Sequence, residues 1–559
     1  MKPTLRLGMA QINCTVGDLE GNFAKVSAKI KEAEDKAIDI LCFPELCLTG
    51  YPPEDLLLKP KFISDNLEYL KKLTSLVKEM TVVVGFVDRK GEDIFNAAAI
   101  IYNQRIKGRY YKTFLPNYGV FDEKRYFSAG KQQPIFKSGP YVFGVNICED
   151  IWHKPGPVEQ QAKAGSSLIL NINASPYHAG KVKEREDIIK KQAKDNRVAI
   201  AYVNLVGGQD ELVFDGQSMV VDTKGKLIAR AGAFKEELLI ADLMLPFGKK
   251  PSARGIVNVC LKISENEKPV SATRKAPLLN PVAEVYQALV LGLHDYVTKN
   301  NFAKAVIGLS GGIDSSLVAS LAVDALGKEN VVGVFMPSEY SSQESQEDAF
   351  ALAQNLGIQF FTVPINGIFK AYLWELRDCF SGKQPDITEE NLQARVRGNI
   401  LMALSNKFRW LVLTTGNKSE MSTGYSTLYG DMAGGFAVIK DVPKILVYRL
   451  TEYRNSFSKV IPERVITKAP TAELRPNQKD SDTLPPYETL DAILKAYVEQ
   501  DKDLNKIISL GFSEHDVRRV LEMVDRSEYK RRQSPPGIKI THKSFGKDRR
   551  MPITNRYKG

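Results

Sequence analysis

Residues 305–323 read AVIGLSGGIDSSLVASLAV, and this stretch decides the fold of the second half of the chain. An apolar run, a turn with two adjacent glycines and a second apolar run predict a strand, a tight loop and a helix in direct succession. Backbone N–H groups in such a loop, together with the N-terminus of the helix, point at phosphate oxygens. It is not a Walker A loop, because the GK[ST] ending and its phosphate-binding lysine are missing.

The same alternation of strands and helices continues on both sides of this loop. Apolar runs predict strands within residues 303–310, 330–337, 359–365 and 409–415. Helical periodicity predicts helices over residues 281–299, 315–326 and 343–356. From residue 442 onward short helices dominate. Repeated β-α-β units predict a doubly wound parallel sheet for this half, which places it in the α/β class.

The first half of the chain also predicts α/β layers. Short β-rich runs indicate strands within residues 4–13, 39–46, 81–87, 141–148, 167–174, 198–206 and 238–245. Amphipathic or charged stretches indicate helices over residues 22–36 and 183–197. Residues 248–280 are rich in Pro, Ser and mixed charge, which is typical of a linker. We therefore predict domains over residues 1–247 and 281–559.

Composition and charge limit the classes of function. The chain has 559 residues, 43% of them hydrophobic, and a net charge of +11. Eleven Lys or Arg against two acidic residues between positions 526 and 558 concentrate that charge in a basic tail, which is either solvated or a cationic strip over a polyphosphate ligand. The N-terminus lacks a signal-peptide pattern, no run of about 18 apolar residues occurs, and the six cysteines form no CxxC pair. We expect a cytoplasmic protein without a membrane span.

Three segments of the first half carry candidate catalytic groups. They are FPELCLTGY with Glu45, YKTFLPNYGVFDEKRYF with Lys112, and GVNICEDIW with Cys148. Each ends or follows a predicted strand, where catalytic groups are usually displayed. A cysteine attacks as a thiolate, so it needs a neighbouring cation and a base for its proton. Lys112 and Glu45 are the residue types that supply these two functions.

These three segments resemble the signature segments of the nitrilase (carbon-nitrogen hydrolase) family. The resemblance implies an αββα sandwich and a catalytic triad of Glu45, Lys112 and Cys148, with Glu123 as a further glutamate of the site. It implies that Lys112 and the N–H of Glu149 stabilise the oxyanion. For a glutamine substrate, the resemblance assigns binding to Tyr118, Ser175 and Lys181.

Two other ways of releasing ammonia from glutamine are excluded by the sequence. A glutaminase with an N-terminal cysteine needs that cysteine directly after the initiator, where this chain has Lys2. A glutaminase with a Cys and His triad needs a His paired with a Glu at a spacing that none of the five histidines shows.

The segment SGGIDSS resembles the pyrophosphate-binding loop of the N-type ATP pyrophosphatases, which have the adenine nucleotide α-hydrolase-like fold. The resemblance implies transfer of AMP with release of pyrophosphate, and Mg²⁺ bound with ATP. It assigns the ATP site to Gly308, Leu309, Ser310, Gly311, Gly312, Ile313, Asp314, Ser315, Thr415 and Lys440. Asp314 and Glu420 would hold the Mg²⁺.

Residues 413–444 resemble the substrate-binding segment of NAD synthetases. This resemblance assigns contacts with deamido-NAD to Asn391, Arg395, Glu420, Tyr425, Ser426, Thr427, Leu428, Asp431 and Lys530. Leu428 departs from ammonia-only relatives, which tend to carry a lysine nearby. Two further segments, around residues 469–491 and 529–541, agree with the same family.

Together the halves resemble glutamine-dependent NAD synthetases over essentially the full chain. The resemblance implies glutamine, ATP and deamido-NAD as small-molecule substrates, no tightly bound organic cofactor, no nucleic acid and a homo-oligomer. An ATP-activated carboxylate would react with ammonia along a path that excludes water. Alternatives are another amidotransferase of the pyrophosphatase superfamily, a tRNA-thiolating enzyme, and a first half that serves only as an inactive scaffold for assembly.

Overall fold

The computed structural model describes residues 4–245, 256–260, 274–476, 478, 480–482 and 484–557. The chain divides into two compact units. The first comprises Met1–Gln209 and Val213–Leu279, and the second Asp210–Leu212 and Asn280–Gly559. Within the described residues, no helix combines the length and apolarity that a membrane crossing requires. Cytoplasmic location and a homo-oligomeric state stay predictions.

The first unit is built on two sheets. Its strands are β1 (Leu5–Gln11), β2 (Ile40–Cys42), β3 (Thr81–Lys90), β4 (Asp93–Tyr102), β5 (Arg105–Tyr111), β6 (Ile135–Ser138), β7 (Tyr141–Ile147), β8 (Leu168–Asn173), β9 (Ala199–Asn204), β10 (Val206–Gln209), β11 (Leu212–Asp215), β12 (Met219–Val221), β13 (Leu227–Arg230), β14 (Glu237–Leu243) and β15 (Ile256–Cys260). One sheet has the order β14-β1-β2-β3-β4-β5, and the other β13-β12-β9-β8-β7-β6-β15. Strands β10 and β11 form a separate pair.

The two sheets share one apolar core. Alternate residues of β7 and β8, including Phe143, Val145 and Leu170, pack with Leu7 and Met9 of β1. Because side chains in a strand alternate between faces, the residues between them must be covered on the opposite side. A helical layer covers them, and the fold class predicted for this half, an αββα sandwich, is confirmed.

The described part of the first unit has four α-helices, of which the first and the last match predicted helices and the two between them were not predicted. They are α1 (Leu19–Asp35), α2 (Pro60–Leu76), α3 (Pro157–Lys163) and α4 (Lys181–Asn196). Helix α4, which the sequence describes as a charged, solvent-facing helix, buries Val182, Ile189 and Ala193 against the second sheet. The many charged residues of α4 therefore make its narrow apolar stripe, which packs against the sheet, hard to recognise in the sequence.

The second unit has a five-stranded parallel sheet. Its strands are β16 (Ala305–Gly308), β17 (Val331–Phe335), β18 (Gln359–Thr362), β19 (Leu411–Thr414) and β20 (Phe436–Ala437), in the order β18-β17-β16-β19-β20. All neighbouring strands run parallel, as the sequence predicts. The strand order reverses between β16 and β19, and ligands of such sheets bind at the carboxyl ends of the strands beside this point.

Helices surround this sheet and fill the rest of the unit. They are α5 (Pro281–Lys299), α6 (Ile313–Leu326), α7 (Gln343–Leu356), α8 (Asn366–Leu376), α9 (Ile387–Phe408), α10 (Lys418–Thr423), α11 (Lys444–Asn455), α12 (Glu463–Thr467), α13 (Tyr487–Leu494), α14 (Leu504–Ile508), α15 (Glu514–Arg526) and α16 (Glu528–Arg531). The predicted helices within residues 281–356 and the short helices after residue 442 are confirmed.

Further elements differ from the expectations. The hairpin of β4 and β5 is absent from the predicted strands, because β4 carries three consecutive alanines, which have low strand propensity. The predicted linker, residues 248–280, lies largely outside the described residues. Its described part includes β15, which pairs in parallel with β6. The polar composition of the surrounding segment gives no indication of this strand in the sequence.

Candidate active sites

The ends of three strands bring Glu45, Lys112 and Cys148 together in the first unit. Glu45 lies three residues after β2, Lys112 directly after β5, and Cys148 directly after β7. Lys112 Nζ lies 2.7 Å from Glu45 Oε1, and both side chains are almost completely buried. The charges of Glu45 and Lys112 both act on the Cys148 thiol. The three residues therefore form one cluster, although they are more than 100 positions apart at the extremes.

Lys112 is held between two carboxylates. Its Nζ also lies 2.7 Å from Glu123 Oε1, which in turn accepts a hydrogen bond of 2.8 Å from the Tyr51 hydroxyl. Burial lowers the pKa of Lys112, but the charges of Glu123 and Glu45 overcome this and hold it well above the ordinary lysine value. For Glu123, burial raises the pKa to about 7 despite Lys112. One ammonium thus contacts two carboxylates, and burial favours protonation of Glu123.

Glu45 has two further partners. Asn96 Nδ2 donates to its Oε1 at 2.7 Å, and the backbone N–H of Ala174, just after β8, donates to its Oε2 at 2.9 Å. These contacts fix the carboxylate, so that its position does not depend on Lys112 alone. Neither Asn96 nor Tyr51 was predicted as a site residue. Asn96 is the fourth residue of β4, whose strand character is weak in the sequence.

Cys148 occupies a strained turn. Its φ is +42°, a left-handed conformation that is unusual for a residue with a side chain. Burial raises the pKa of its thiol well above the ordinary value; the charge of Glu45 adds to this effect and that of Lys112 opposes it. The resting nucleophile is therefore a neutral thiol, which needs a base at the moment of attack.

Asp150 braces the turn that carries Cys148. It accepts hydrogen bonds from the Ile147 N–H at 3.0 Å, the Phe114 N–H at 2.9 Å and the Tyr110 hydroxyl at 2.8 Å. Burial raises its pKa to about 6. Asp150 was not predicted as a site residue, although its place two residues after the cysteine is a signal in the sequence.

The predicted glutamine-binding residues lie around the same turn. The Tyr118 hydroxyl donates to Glu149 at 3.0 Å, and both residues line a cavity of about 570 Å³ together with His153. Ser175 is buried, and its N–H donates to Asn204 Oδ1 at 3.0 Å. Lys181 does not line this cavity: its ammonium lies 3.0 Å from Glu184 and 4.4 Å from the centre of the Trp152 ring.

The second unit places its candidate site at the carboxyl edge of the parallel sheet. Residues 308–315 pass from the end of β16 into the first turn of α6. Gly311 has a φ of +77°, and a Cβ there would lie 2.4 Å from the Ser345 carbonyl, so glycine is required. Ser310 Oγ lies 3.1 Å from Ser315 Oγ across the loop. Thr415 follows β19 directly, on the other side of the point where strand order reverses.

Two carboxylates face each other beside this loop. Lys444 forms ion pairs with Asp314 and, at 3.5 Å, with Glu420, while Asn417 Nδ2 donates to Asp314 Oδ1 at 2.9 Å. Burial and the charge of Asp314 raise the pKa of Glu420 to about 8. Lys444 and Asn417 were not named from the sequence, although both fall within or beside the segment that resembles NAD synthetases.

The residues of this carboxylate cluster fit a magnesium ion bound with ATP. Their donors are oxygens, which Mg²⁺ prefers, and ATP-dependent enzymes commonly hold Mg²⁺ through one or two carboxylates plus phosphate oxygens. Asp480, whose charge acts on Glu420, has a buried Oδ1 without a hydrogen-bond partner. The charge of Lys444 already acts on Asp480, and an ion bound with ATP would be a further cation beside it.

Hydrogen bonds connect most of the predicted deamido-NAD residues with residues 424–431. Asn391 Oδ1 accepts from the Thr427 hydroxyl at 2.8 Å, and Arg395 Nε donates to the Leu428 carbonyl at 3.3 Å. Further contacts join Asp431 with the Thr427 N–H at 2.6 Å, and Lys530 with the carbonyls of Gly424 and Ser426 at 2.7 Å each. Tyr425 interacts with Asp480. Residues 424–431 are therefore held between α9 and the basic tail.

The basic tail is folded rather than left in solvent. Phe545 packs in the apolar cluster formed by α13 and α15. Lys539 pairs with Asp548 at 2.5 Å, and Lys543 with Asp501 at 2.6 Å. Asp441 accepts from the N–H groups of residues 540 and 541 at 2.8 and 2.7 Å. Much of the positive charge counted in the sequence thus stabilises the fold beside the candidate ATP site.

Lys440, the remaining predicted ATP residue, lies beside this tail. Its ammonium donates to the Pro535 carbonyl at 2.7 Å. Burial lowers its pKa below the ordinary lysine value, against the opposing charges of Glu211 and Asp441.

Comparisons with known proteins agree with this arrangement. Residues 6–247 match the carbon-nitrogen hydrolase family model, and residues 285–534 match the NAD synthase model. The glutamine-dependent NAD(+) synthetase of Thermotoga maritima is 52% identical over 99% of both chains. That of Aquifex aeolicus is 50% identical over 99% of this chain and all of the relative.

A solved structure extends the similarity to three dimensions. The glutamine-dependent NAD+ synthetase from Acinetobacter baumannii, in complex with adenosine diphosphate, is 42% identical, with a TM-score of 0.77 over 99% of each chain. Both halves and both sites of the present chain are covered by these similarities. The chain therefore belongs to the family of glutamine-dependent NAD(+) synthetases.

Proposed function

We propose that the first unit hydrolyses glutamine and that the second uses the ammonia to convert deamido-NAD into NAD, with ATP consumed to AMP and pyrophosphate. The observation that carries this proposal is the occurrence, in one chain of this family, of a buried Glu45, Lys112 and Cys148 cluster and of a glycine loop at the edge of a parallel sheet. Amide cleavage and nucleotide chemistry are thus supported by separate sets of residues.

Glutamine hydrolysis begins at Cys148. Because its thiol is neutral at rest, Glu45 takes the proton as Sγ forms a bond with the amide carbon. Lys112 and the Glu149 N–H stabilise the oxyanion. Glu45 then returns the proton to the departing nitrogen, the carbon–nitrogen bond breaks, and ammonia leaves. Water, activated by Glu45, cleaves the thioester, releases glutamate and restores the thiol.

The glutamine side chain reaches Cys148 while its amino-acid end is held by Tyr118, Ser175 and Lys181. Lys181 supplies a positive charge for the α-carboxylate, since its partner Glu184 is half exposed to solvent and binds it only weakly. Tyr118 lies at the cavity, where its hydroxyl is already oriented by Glu149.

In the second unit, an oxygen of the nicotinate carboxylate attacks the α-phosphorus of ATP, and pyrophosphate leaves. Ammonia then attacks the activated carbon, AMP departs, and the product is the amide. The loop of residues 308–315 cradles pyrophosphate, with Thr415 and Lys440 on ATP. Asp314 and Glu420 hold Mg²⁺, which neutralises phosphate charge when bound. Deamido-NAD lies along the surface that contains Asn391, Arg395, residues 425–428, Asp431 and Lys530.

Replacing Cys148 with Ala tests the proposed division of labour. We expect glutamine-driven synthesis of NAD to fall by about 10³-fold or more, because the nucleophile is lost. Ammonium-driven synthesis should stay within about twofold, since no residue of the second unit changes. Cys47→Ala, which removes another buried cysteine of the same unit, is the control and should keep both activities. Equal loss of activity with both nitrogen sources in Cys148→Ala would contradict the proposal.

Asn96→Ala tests whether Glu45 depends on its amide partner. Loss of a hydrogen bond to a charged group costs about 1.5–3 kcal/mol. We therefore expect glutamine hydrolysis to slow by about 10- to 100-fold, with ammonium-driven synthesis unchanged. Asn66→Ala is the matched control, because Asn66 is equally buried in this unit but donates to the Val87 carbonyl at 2.6 Å. Equal rates of glutamine hydrolysis in the two variants would refute the role of Asn96.

The lowered pKa of Lys440 predicts pH-dependent binding of ATP. The ammonium is charged below its pKa and neutral above it, so affinity for the anionic nucleotide should weaken at a pH below the 10.5 of ordinary lysine. Above that pKa, Kd should rise by up to about tenfold per pH unit. Lys440→Arg should move the decline to higher pH, and the exposed Lys407→Arg should not. Calorimetric titration between pH 7 and 10 measures this; identical profiles for wild type and Lys440→Arg would exclude the contact.

A further inference from the structure

Arg397, on α9, differs from the other largely buried arginines of the chain. Arg185 is paired with Asp215, Arg454 with Asp324, and Arg531 with Glu528. In the described part of the chain, no carboxylate lies within 4 Å of the Arg397 guanidinium, and its one hydrogen bond runs from Nε to the Met336 carbonyl at 3.0 Å. Its two terminal nitrogens are left for another partner. A charged group in this position is costly unless an anion compensates it.

The position of Arg397 indicates which kind of anion it would bind. Met336 directly follows β17, so the guanidinium is anchored at the carboxyl edge of the parallel sheet. The glycine loop lies beside it: the Leu309 N–H donates to the Val334 carbonyl at 2.9 Å, and a Cβ on Gly308 would lie 3.3 Å from the Met336 methyl group. Arg397 thus lies next to the backbone that is shaped for phosphate.

An acidic group that acts on Arg397 is already engaged. Among the described residues, the carboxylate of Glu473 acts on Arg397 through its charge. Its Oε1 accepts hydrogen bonds from Ser345 at 2.8 Å and from Lys468 at 3.1 Å. These contacts neutralise Glu473 locally and hold it outside the ion-pair distance of Arg397. Ser345, in turn, is the residue whose carbonyl packs against Gly311 of the loop.

We propose that Arg397 binds a phosphate group of the nucleotide held by residues 308–315. A guanidinium presents two parallel N–H groups that fit two oxygens of a phosphate. Because the Met336 carbonyl holds Nε, the two terminal nitrogens of Arg397 are available for this contact. Burial lowers the pKa of Arg397 to about 10, which a bound phosphate would reverse. This inference rests on the proposed function, because it assigns one contact of the same ATP site.

A structural role alone explains less of the geometry. The bond from Nε to the Met336 carbonyl uses one of the five donors of the guanidinium. A neutral side chain could supply it without the cost of an unpaired charge. The two roles also predict different results for the charged substitution Arg397→Lys and the neutral substitution Arg397→Gln.

The test is ATP binding by Arg397→Gln and Arg397→Lys, measured by calorimetry on the full-length protein. We expect a 10- to 100-fold increase in Kd for Gln and less than 10-fold for Lys. Binding of deamido-NAD alone and hydrolysis of glutamine should stay within twofold of wild type. Arg409→Gln, which removes an exposed charge just after the same helix, is the control and should bind ATP normally.

Two results would overturn the inference. One is ATP binding by Arg397→Gln within twofold of wild type. The other is equal impairment of the Gln and Lys variants together with a lowered Tm, which would show that Arg397 only supports the fold. Failure of wild type to form AMP from ATP with deamido-NAD would instead count against the proposed function. The two failures are therefore distinguishable.

Discussion

A lysine ammonium enclosed by two carboxylates stands at the centre of each candidate site. Lys112 lies between Glu45 and Glu123, and Lys444 lies between Asp314 and Glu420. A carboxylate taken out of water needs a positive partner, but one ammonium cannot fully compensate two negative charges. Burial, with a smaller contribution from the neighbouring carboxylate, raises the pKa of Glu123 to about 7 and that of Glu420 to about 8. In both sites, ion pairs hold the side chains in place, but two acidic residues share a single ammonium.

The acidic residues around each lysine have a different proposed role in each unit. In the first, the carboxylates of Glu45 and Glu123 hold Lys112 in place, and we propose that Glu45 receives the thiol proton. In the second, we propose that Asp314 and Glu420 hold a divalent cation and that Arg397 and Lys440 contact phosphate. On this proposal, a lysine between two acidic residues serves proton transfer in one site and a metal-bound nucleotide in the other.

Much of this could be predicted from the sequence, because the main functional groups lie in short segments directly after strands. Glu45, Lys112, Cys148 and the loop of residues 308–315 are of this kind. The supporting residues are not. Asn96 lies on a strand with weak propensity, and Asp150 is one acid among several. Their importance depends on distances across the fold, which no local pattern contains.

The tail shows the same limit. The number of charged residues in the tail follows from the sequence. It does not reveal that Lys539 and Lys543 form ion pairs with acidic residues of the same unit. Likewise, five residues within the predicted linker form β15. Their pairing partner, β6, lies over 100 residues earlier, so the local sequence does not indicate this strand. Long-range pairing decides such segments, and composition does not.

The most direct test of the central claim is formation of AMP from ATP in the presence of ammonium and one candidate acceptor at a time. We predict AMP with deamido-NAD and none with xanthosine monophosphate or tRNA. AMP formed with xanthosine monophosphate or tRNA, but not with deamido-NAD, would contradict the assignment of the second site.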